Sequence, residues 1–203
     1  MYVCVCGGAN VLSNQGAISE SDAGCRVLND AIYRNNMEQV RWLLDHDVQL
    51  NPHNNDCNPP LLYAIKAGNV PLTRTLIEAG ADVNGTLKGL IYDDIPHFWS
   101  PLLVQCLYSP RPAAMVALLL SHKADVNAVD SECSTALSLS VMRNFHSDEP
   151  ESAAIVEILL DEPNQVHSQD SLDAAFFNAF HSWYYDGDNM KDDSYARILL
   201  KVS

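Results

Sequence analysis

The chain has 203 residues, of which 47% are hydrophobic, and a formal net charge of −14 from 12 Lys and Arg against 26 Asp and Glu. That apolar content supports a core and excludes a disordered chain, while no apolar run reaches the roughly 18 residues that span a bilayer. The acidic balance argues against nucleic acid and anionic membranes as partners, since phosphate neutralisation needs a basic face.

The charge is uneven. From Asp148 onward there are 12 acidic and three basic residues, an excess of nine negative charges. Such a stretch reads first as a solvated surface and second as a docking surface for a basic partner. Met1–Gly8 has no basic segment followed by a long apolar one, so no secretory signal is expected, and the cytoplasm is the expected compartment with the nucleus as alternative. The six cysteines, at 4, 6, 25, 57, 106 and 133, match no disulfide framework, and reduced thiols are expected.

In chain order, Leu28, Ala31 and Ile32, then Val40, Leu43 and Leu44, predict two short amphipathic helices. The stretch Asn58–Asn84 repeats this plan more clearly. Pro60 suits a first helical turn, and Leu61, Ala64 and Ile65 share one face. Gly68 ends that helix, Pro71 starts the next, and Leu72, Leu76 and Ile77 form its apolar stripe. Gly80 fits a left-handed C-terminal cap, and Ala81-Asp-Val-Asn follows as a turn. Asn35 stands where Gly68 stands and Asp47 where Gly80 stands; both are residue types that tolerate the left-handed region. A third unit runs from Ser100-Pro-Leu-Leu to a second Ala-Asp-Val-Asn at 124–127. Eight of its ten extra residues fall between Asn84 and Pro101, and two near Ser109–Pro112. A fourth begins at Ser134-Thr-Ala-Leu and resumes at Ile155–Leu160, with about seven extra residues within Asn144–Pro150. Ser171–Phe180 suggests a fifth inner helix and Tyr195–Lys201 its outer partner, and Gly8–Leu12 looks like the close of a further unit.

Asn51 and Asn84 are 33 residues apart. That period and the helix–turn–helix–turn unit resemble the ankyrin repeat. The resemblance implies an all-α solenoid of stacked helix pairs with β-turn fingers. The division it suggests is a degenerate cap or partial repeat at 1–23, repeats at 24–57, 58–90, 91–133 and 134–167, and a degenerate repeat or cap at 168–203. The family's Thr-Pro-Leu-His is never intact: its His position reads Asn29, Leu62, Leu103 and Ser138. In the family that His ties neighbouring repeats by hydrogen bonds, so its loss here bears on how regularly they stack.

Ankyrin proteins present fingers and a concave face of inner helices, where partners usually sit. The insertion 85–99 would lengthen one finger and is unusually aromatic for a loop. Tyr92, Phe98 and Trp99 are candidate anchors, since aromatic residues dominate binding hot spots, with Asp93, Asp94 and His97 as polar contacts. The alternative is that Ile91, Phe98 and Trp99 fold back into the groove between repeats, because exposed apolar clusters are costly. Trp183, Tyr184 and Tyr185 form a second candidate surface, while Phe176, Phe177 and Phe180 are expected in the core or cap.

Chemistry-bearing clusters are weak. Cys4 and Cys6 lack the second ligand pair of a structural zinc site. Cys106 and Cys133 are expected to pack as small hydrophobes. His46, His53, Asp56 and Cys57 could converge at the first finger, but an exposed turn is a poor setting for a nucleophile. Asp186–Asp193 lacks the ligand order of a calcium loop, and no phosphate-cradling glycine motif occurs. No catalytic residue, metal or cofactor is expected. The expected function is a monomeric, non-catalytic module that binds a protein partner. The alternatives are a regulatory inhibitor or the recognition segment of a larger ankyrin-containing protein, and, more remotely, an enzyme with its site in the insertions.

Overall fold

A computed structural model describes residues 22–52, 57–88, 99–146, 150–161 and 166–185. The chain forms α1 (Asp22–Tyr33), α2 (Met37–Leu44), α3 (Pro60–Lys66), α4 (Val70–Glu78), β1 (Thr86–Lys88), β2 (Trp99–Pro101), α5 (Leu102–Cys106), α6 (Pro112–Ser121), α7 (Ala136–His146), α8 (Pro150–Leu160) and α9 (Gln169–Tyr185). The helices make two layers. The inner helices α1, α3, α5, α7 and α9 pack in succession, and the outer helices α4, α6 and α8 do the same; each inner helix from α1 to α7 also packs on the outer helix that follows it.

The apolar spacing sets this arrangement. Leu28, Ala31 and Ile32 of α1, Leu61, Ala64 and Ile65 of α3, and Val40, Leu43, Leu72 and Leu76 of the outer layer are all buried in one continuous core. None of these short helices could bury its stripe alone, so neighbours must stack. The helix ends are cut by side chains that recur at the same offset. Asn36 and Asn69 each cap an outer helix by accepting from Gln39 N–H (3.2 Å) and Leu72 N–H (3.1 Å). Asn35 (φ 55°) and Gly68 (φ 65°) hold the left-handed turn between paired helices, and Asp47 (φ 52°), Gly80 (φ 96°) and Lys123 (φ 65°) hold the one that ends the outer helix. A Cβ at Gly68 would also lie 3.1 Å from the Pro110 ring of the next unit.

Two parts of the chain differ from the sequence expectation. Of the extra residues at 144–150, expected between the helices, Asn144–His146 extend α7 and Pro150 opens α8, and the three between lie outside the described residues. Phe176 and Phe177 are not in the core; they are 51% and 64% exposed. Phe176 follows the i, i+4 spacing from Leu172 that buries Ile65 behind Leu61, but α9 packs on α7 with no outer helix of its own among the described residues.

Candidate functional site

Two of the fingers begin at an Ala-Asp-Val-Asn turn, at 81–84 and 124–127. Ala81 and Ala124 are small and buried, and their N–H groups donate to Leu76 O (2.9 Å) and Leu119 O (3.0 Å), closing the outer helices. The carboxylates of Asp82 and Asp125 accept from the N–H of Asn84 and Asn127, both at 2.9 Å, which sets each Asn side chain toward the next repeat. Asn51 accepts from Asp82 N–H (2.8 Å) and donates to Gly80 O (2.9 Å). Asn84 accepts from Asp125 N–H at 2.8 Å. Asn127 accepts from Ser168 N–H (2.7 Å) and donates to Val166 O (2.9 Å). A row of asparagines thus joins successive repeats through the backbone.

The positions that replace the family's His divide in two. Asn29 donates to Asn58 O of the next repeat at 2.9 Å, and Ser138 engages Thr135, whose hydroxyl lies 2.9 Å from Ser171 Oγ in α9. Leu62 and Leu103 are buried and join their repeats by apolar contact alone. In the fourth unit the His167 ring Nε2 donates to Leu159 O (2.9 Å), the carbonyl equivalent to Leu76 O and Leu119 O, and Ser168 Oγ caps α9 by accepting from Ser171 N–H (3.2 Å).

The enlarged finger is a hairpin, with Thr86 opposite Pro101, Leu87 opposite Ser100 and Lys88 opposite Trp99. Gly85 O accepts from Leu102 N–H at 3.0 Å at its base. The next finger is pinned by Asp130, whose buried carboxylate accepts from Glu132 and Ser134 N–H, both at 2.9 Å. The two fingers touch: Ser131 N–H donates to Trp99 O at 3.0 Å. Trp99 itself is 40% exposed, so it is not sealed in the inter-repeat groove. Tyr92, Asp93, Asp94, His97 and Phe98 lie outside the described residues, as does Ile91. Trp183, Tyr184 and Tyr185 fall on the last turn of α9, and their side chains are outside the described set.

The cysteines correct the sequence expectation. Cys25 at the start of α1 and Cys57 before α3 form a disulfide, with Cα atoms 6.8 Å apart, where reduced thiols were expected. Their spacing of 32 residues, one short of the repeat, brings them together across the junction. This removes Cys57 from any nucleophile with His46, whose ring stacks on Trp42 with centroids 4.0 Å apart; His53 and Asp56 lie outside the described residues. Cys106 is fully buried, and burial pushes its thiol well above the usual range. Cys133, expected to pack inward, is exposed on the third finger at φ 60°. Among the described residues no group of three or more His, Cys, Asp or Glu side chains is placed to hold a metal ion. No helix among them is long and apolar enough to cross a membrane.

Comparison with known proteins agrees with this geometry. Residues 28–77 match the family described as ankyrin repeats (many copies). Over 140 residues the chain is 30% identical to the E3 ubiquitin-protein ligase KEG of Arabidopsis thaliana, an alignment covering 68% of this chain and 8% of that ligase. Proteins of the family generally mediate protein–protein interaction. With the matched pair of repeats, the recurring Ala-Asp-Val-Asn clamp and the two-layer stack, the chain is an ankyrin-repeat protein.

Proposed function

We propose that this chain is a non-catalytic module that binds a protein partner across its inner-helix face and enlarged finger. One observation carries the reading. The large apolar side chains exposed among the described residues are Tyr33, Trp99, Tyr108, Val129, Met142, Val166, Phe176 and Phe177, and none sits on an outer helix. Tyr33, Met142, Phe176 and Phe177 lie on inner helices, Tyr108 lies two residues beyond the end of α5, and Trp99 and Val129 lie on adjacent fingers. Exposed apolar area concentrated on one layer marks a contact surface, whereas scattered single residues do not. By sequence position alone, Tyr92, Asp93, Asp94, His97 and Phe98, inserted between β1 and β2, and Trp183, Tyr184 and Tyr185, at the end of α9, are included in the same proposal. The partner is a protein, with a basic patch if the acidic stretch from Asp148 takes part, and the net charge of −14 disfavours nucleic acid. The module acts as a monomer, and the division into four repeats between two degenerate end segments belongs to the same proposal.

The test is affinity capture from cell extract with the intact chain as bait. Two comparison baits carry Tyr33, Tyr108 and Met142 changed to Ser, or Tyr92, Phe98 and Trp99 changed to Ser, each checked for folding by circular dichroism. A protein held by the intact chain and lost from either variant is the expected result. Equal capture by all three baits would remove both surfaces from the proposal.

A second reading is favoured by the comparison: most of this chain aligns with a small fraction of a large ligase. In that reading the repeats are the recognition segment of a larger protein, and the same surface selects what that protein acts on.

A further inference from the structure

The three asparagines that clamp successive repeats differ in the residue that follows them: Pro52, Gly85 and Ala128. That difference decides their covalent chemistry. An asparagine side chain deamidates when the backbone nitrogen of the next residue attacks its carbonyl carbon. Proline has no N–H to lose in that step, the alanine methyl crowds it, and glycine has no Cβ to hinder it. Asn84-Gly85 is the chain's one Asn-Gly pair. The stack itself selects glycine there: a Cβ would lie 3.2 Å from Asp82 O, 3.3 Å from Leu102 Cδ1 and 3.4 Å from Pro59 Cγ. Asn84 is exposed to water, yet both reacting groups are occupied. Gly85 N–H donates to Asp82 O (3.2 Å), and Asn84 Oδ1 accepts Asp125 N–H of the next repeat (2.8 Å). Asn84 N–H is itself held by the Asp82 carboxylate at 2.9 Å.

We propose that Asn84 is a deamidation site guarded by the inter-repeat clamp, and that its conversion loosens the third repeat from the second. When the junction opens, Gly85 N attacks Asn84 Cγ. The bond from Cγ to the side-chain nitrogen breaks, and that nitrogen leaves as ammonia with the proton given up by Gly85. Water then opens the five-membered imide at either of its carbonyls. One water is consumed and one ammonia released, with no oxidant or reductant. Opening at one carbonyl gives aspartate, which keeps a side-chain oxygen to accept Asp125 N–H. Opening at the other gives isoaspartate, whose main chain runs through the former side chain and is one carbon longer. That product takes the acceptor out of the clamp and displaces Gly85, whose carbonyl accepts Leu102 N–H at the base of the finger (3.0 Å).

The experiment incubates the full chain at mildly alkaline pH, folded in buffer and unfolded in guanidinium chloride, and follows each asparagine by peptide mass and chromatography. Unfolded, Asn84 should convert faster than Asn51 and Asn127. Folded, Asn84 should convert about tenfold more slowly or less than that, the factor that about 1.4 kcal/mol of opening free energy imposes. Equal rates in the two states would overturn the guard. In the unfolded chain Ala128→Gly should raise Asn127 to the rate of Asn84, and an unmoved rate would overturn the role given to Gly85. The deamidated chain, separated by its added negative charge, is then compared with Asn84→Asp, which carries that charge on an unaltered main chain. Faster hydrogen exchange of α5 and α6 amides in the deamidated chain alone, with α1 unchanged, supports the loosening. Exchange equal to that of the unmodified chain, or the same acceleration in Asn84→Asp, overturns it.

Discussion

The side-chain oxygen of Asn84 accepts the backbone N–H of Asp125 at 2.8 Å, across 41 residues of sequence. Asn51 and Asn127 make the same contact at 2.8 and 2.7 Å, across 31 and 41 residues. The three bonds are exposed, so water competes for both partners when one is removed. Asn84→Ala should therefore cost only about 0.5–1.5 kcal/mol, read as a shift in urea midpoint at unchanged slope. A loss above about 3 kcal/mol would mean the residue does something other than bridge.

Leu76 is fully buried between the layers and joins its own repeat to the core. Leu76→Ala should cost about 2–5 kcal/mol, the range for a core cavity. A urea titration showing a loss below about 1 kcal/mol would count against the two-layer frame.

Lys123 holds a left-handed conformation where Gly80 stands one repeat earlier, and its side chain is exposed. An L-residue there is penalised by roughly 1–2 kcal/mol, offset in part by the greater unfolded-state freedom of glycine. Lys123→Gly should raise stability by about 0.5–1 kcal/mol, and Gly80→Ala should lower it by a similar amount. Thermal melts of the two variants should move in opposite directions.

The disulfide closes a loop with a sequence separation of 32 residues. Its reduction should lower stability by about 3 kcal/mol, because the unfolded chain regains the freedom the bond removed. Under native conditions Cys133 should alkylate readily, whereas buried Cys106, with its thiol pushed upward, should react only after unfolding. Time-resolved mass analysis of alkylated peptides checks both halves of the statement.

If Trp99 anchors a partner, Trp99→Ala should weaken binding by about 2 kcal/mol, roughly thirtyfold, with little change in folding. Affinity should then vary little with salt, since an apolar contact is not screened. A steep fall between low and physiological salt would shift weight to the acidic stretch after Asp148.

The period and the apolar faces were legible in the sequence because both depend on near-neighbour spacing. Leu61, Ala64 and Ile65 define an apolar face by their spacing alone, and Asn35 and Asp47 mark turns through the left-handed backbone they adopt. What depends on contacts between repeats was harder to see. Cys25 and Cys57 look scattered until two helices bring them together. The recurrence of Asn51, Asn84 and Asn127 at the end of successive units was visible, but not that each reaches forward to its neighbour. Phe176 has the spacing of a core residue yet is 51% exposed, with no outer helix packed on α9 among the described residues. Trp99 could be read as anchor or plug from sequence alone; it is 40% exposed on β2, while Ile91 and Phe98 lie outside the described residues.

The asparagine clamps keep one length while the chain between them grows by ten residues. The extra sequence at the enlarged finger leaves the inter-repeat hydrogen bond at the length it has one repeat earlier, 2.8 Å in both cases. The same holds at the last clamp, where Asn127 meets Ser168 at the start of a helix in place of a finger. Loop length and stacking geometry are therefore separate variables in this molecule. A finger can be enlarged, shortened or exchanged for another while the neighbouring repeats keep their positions.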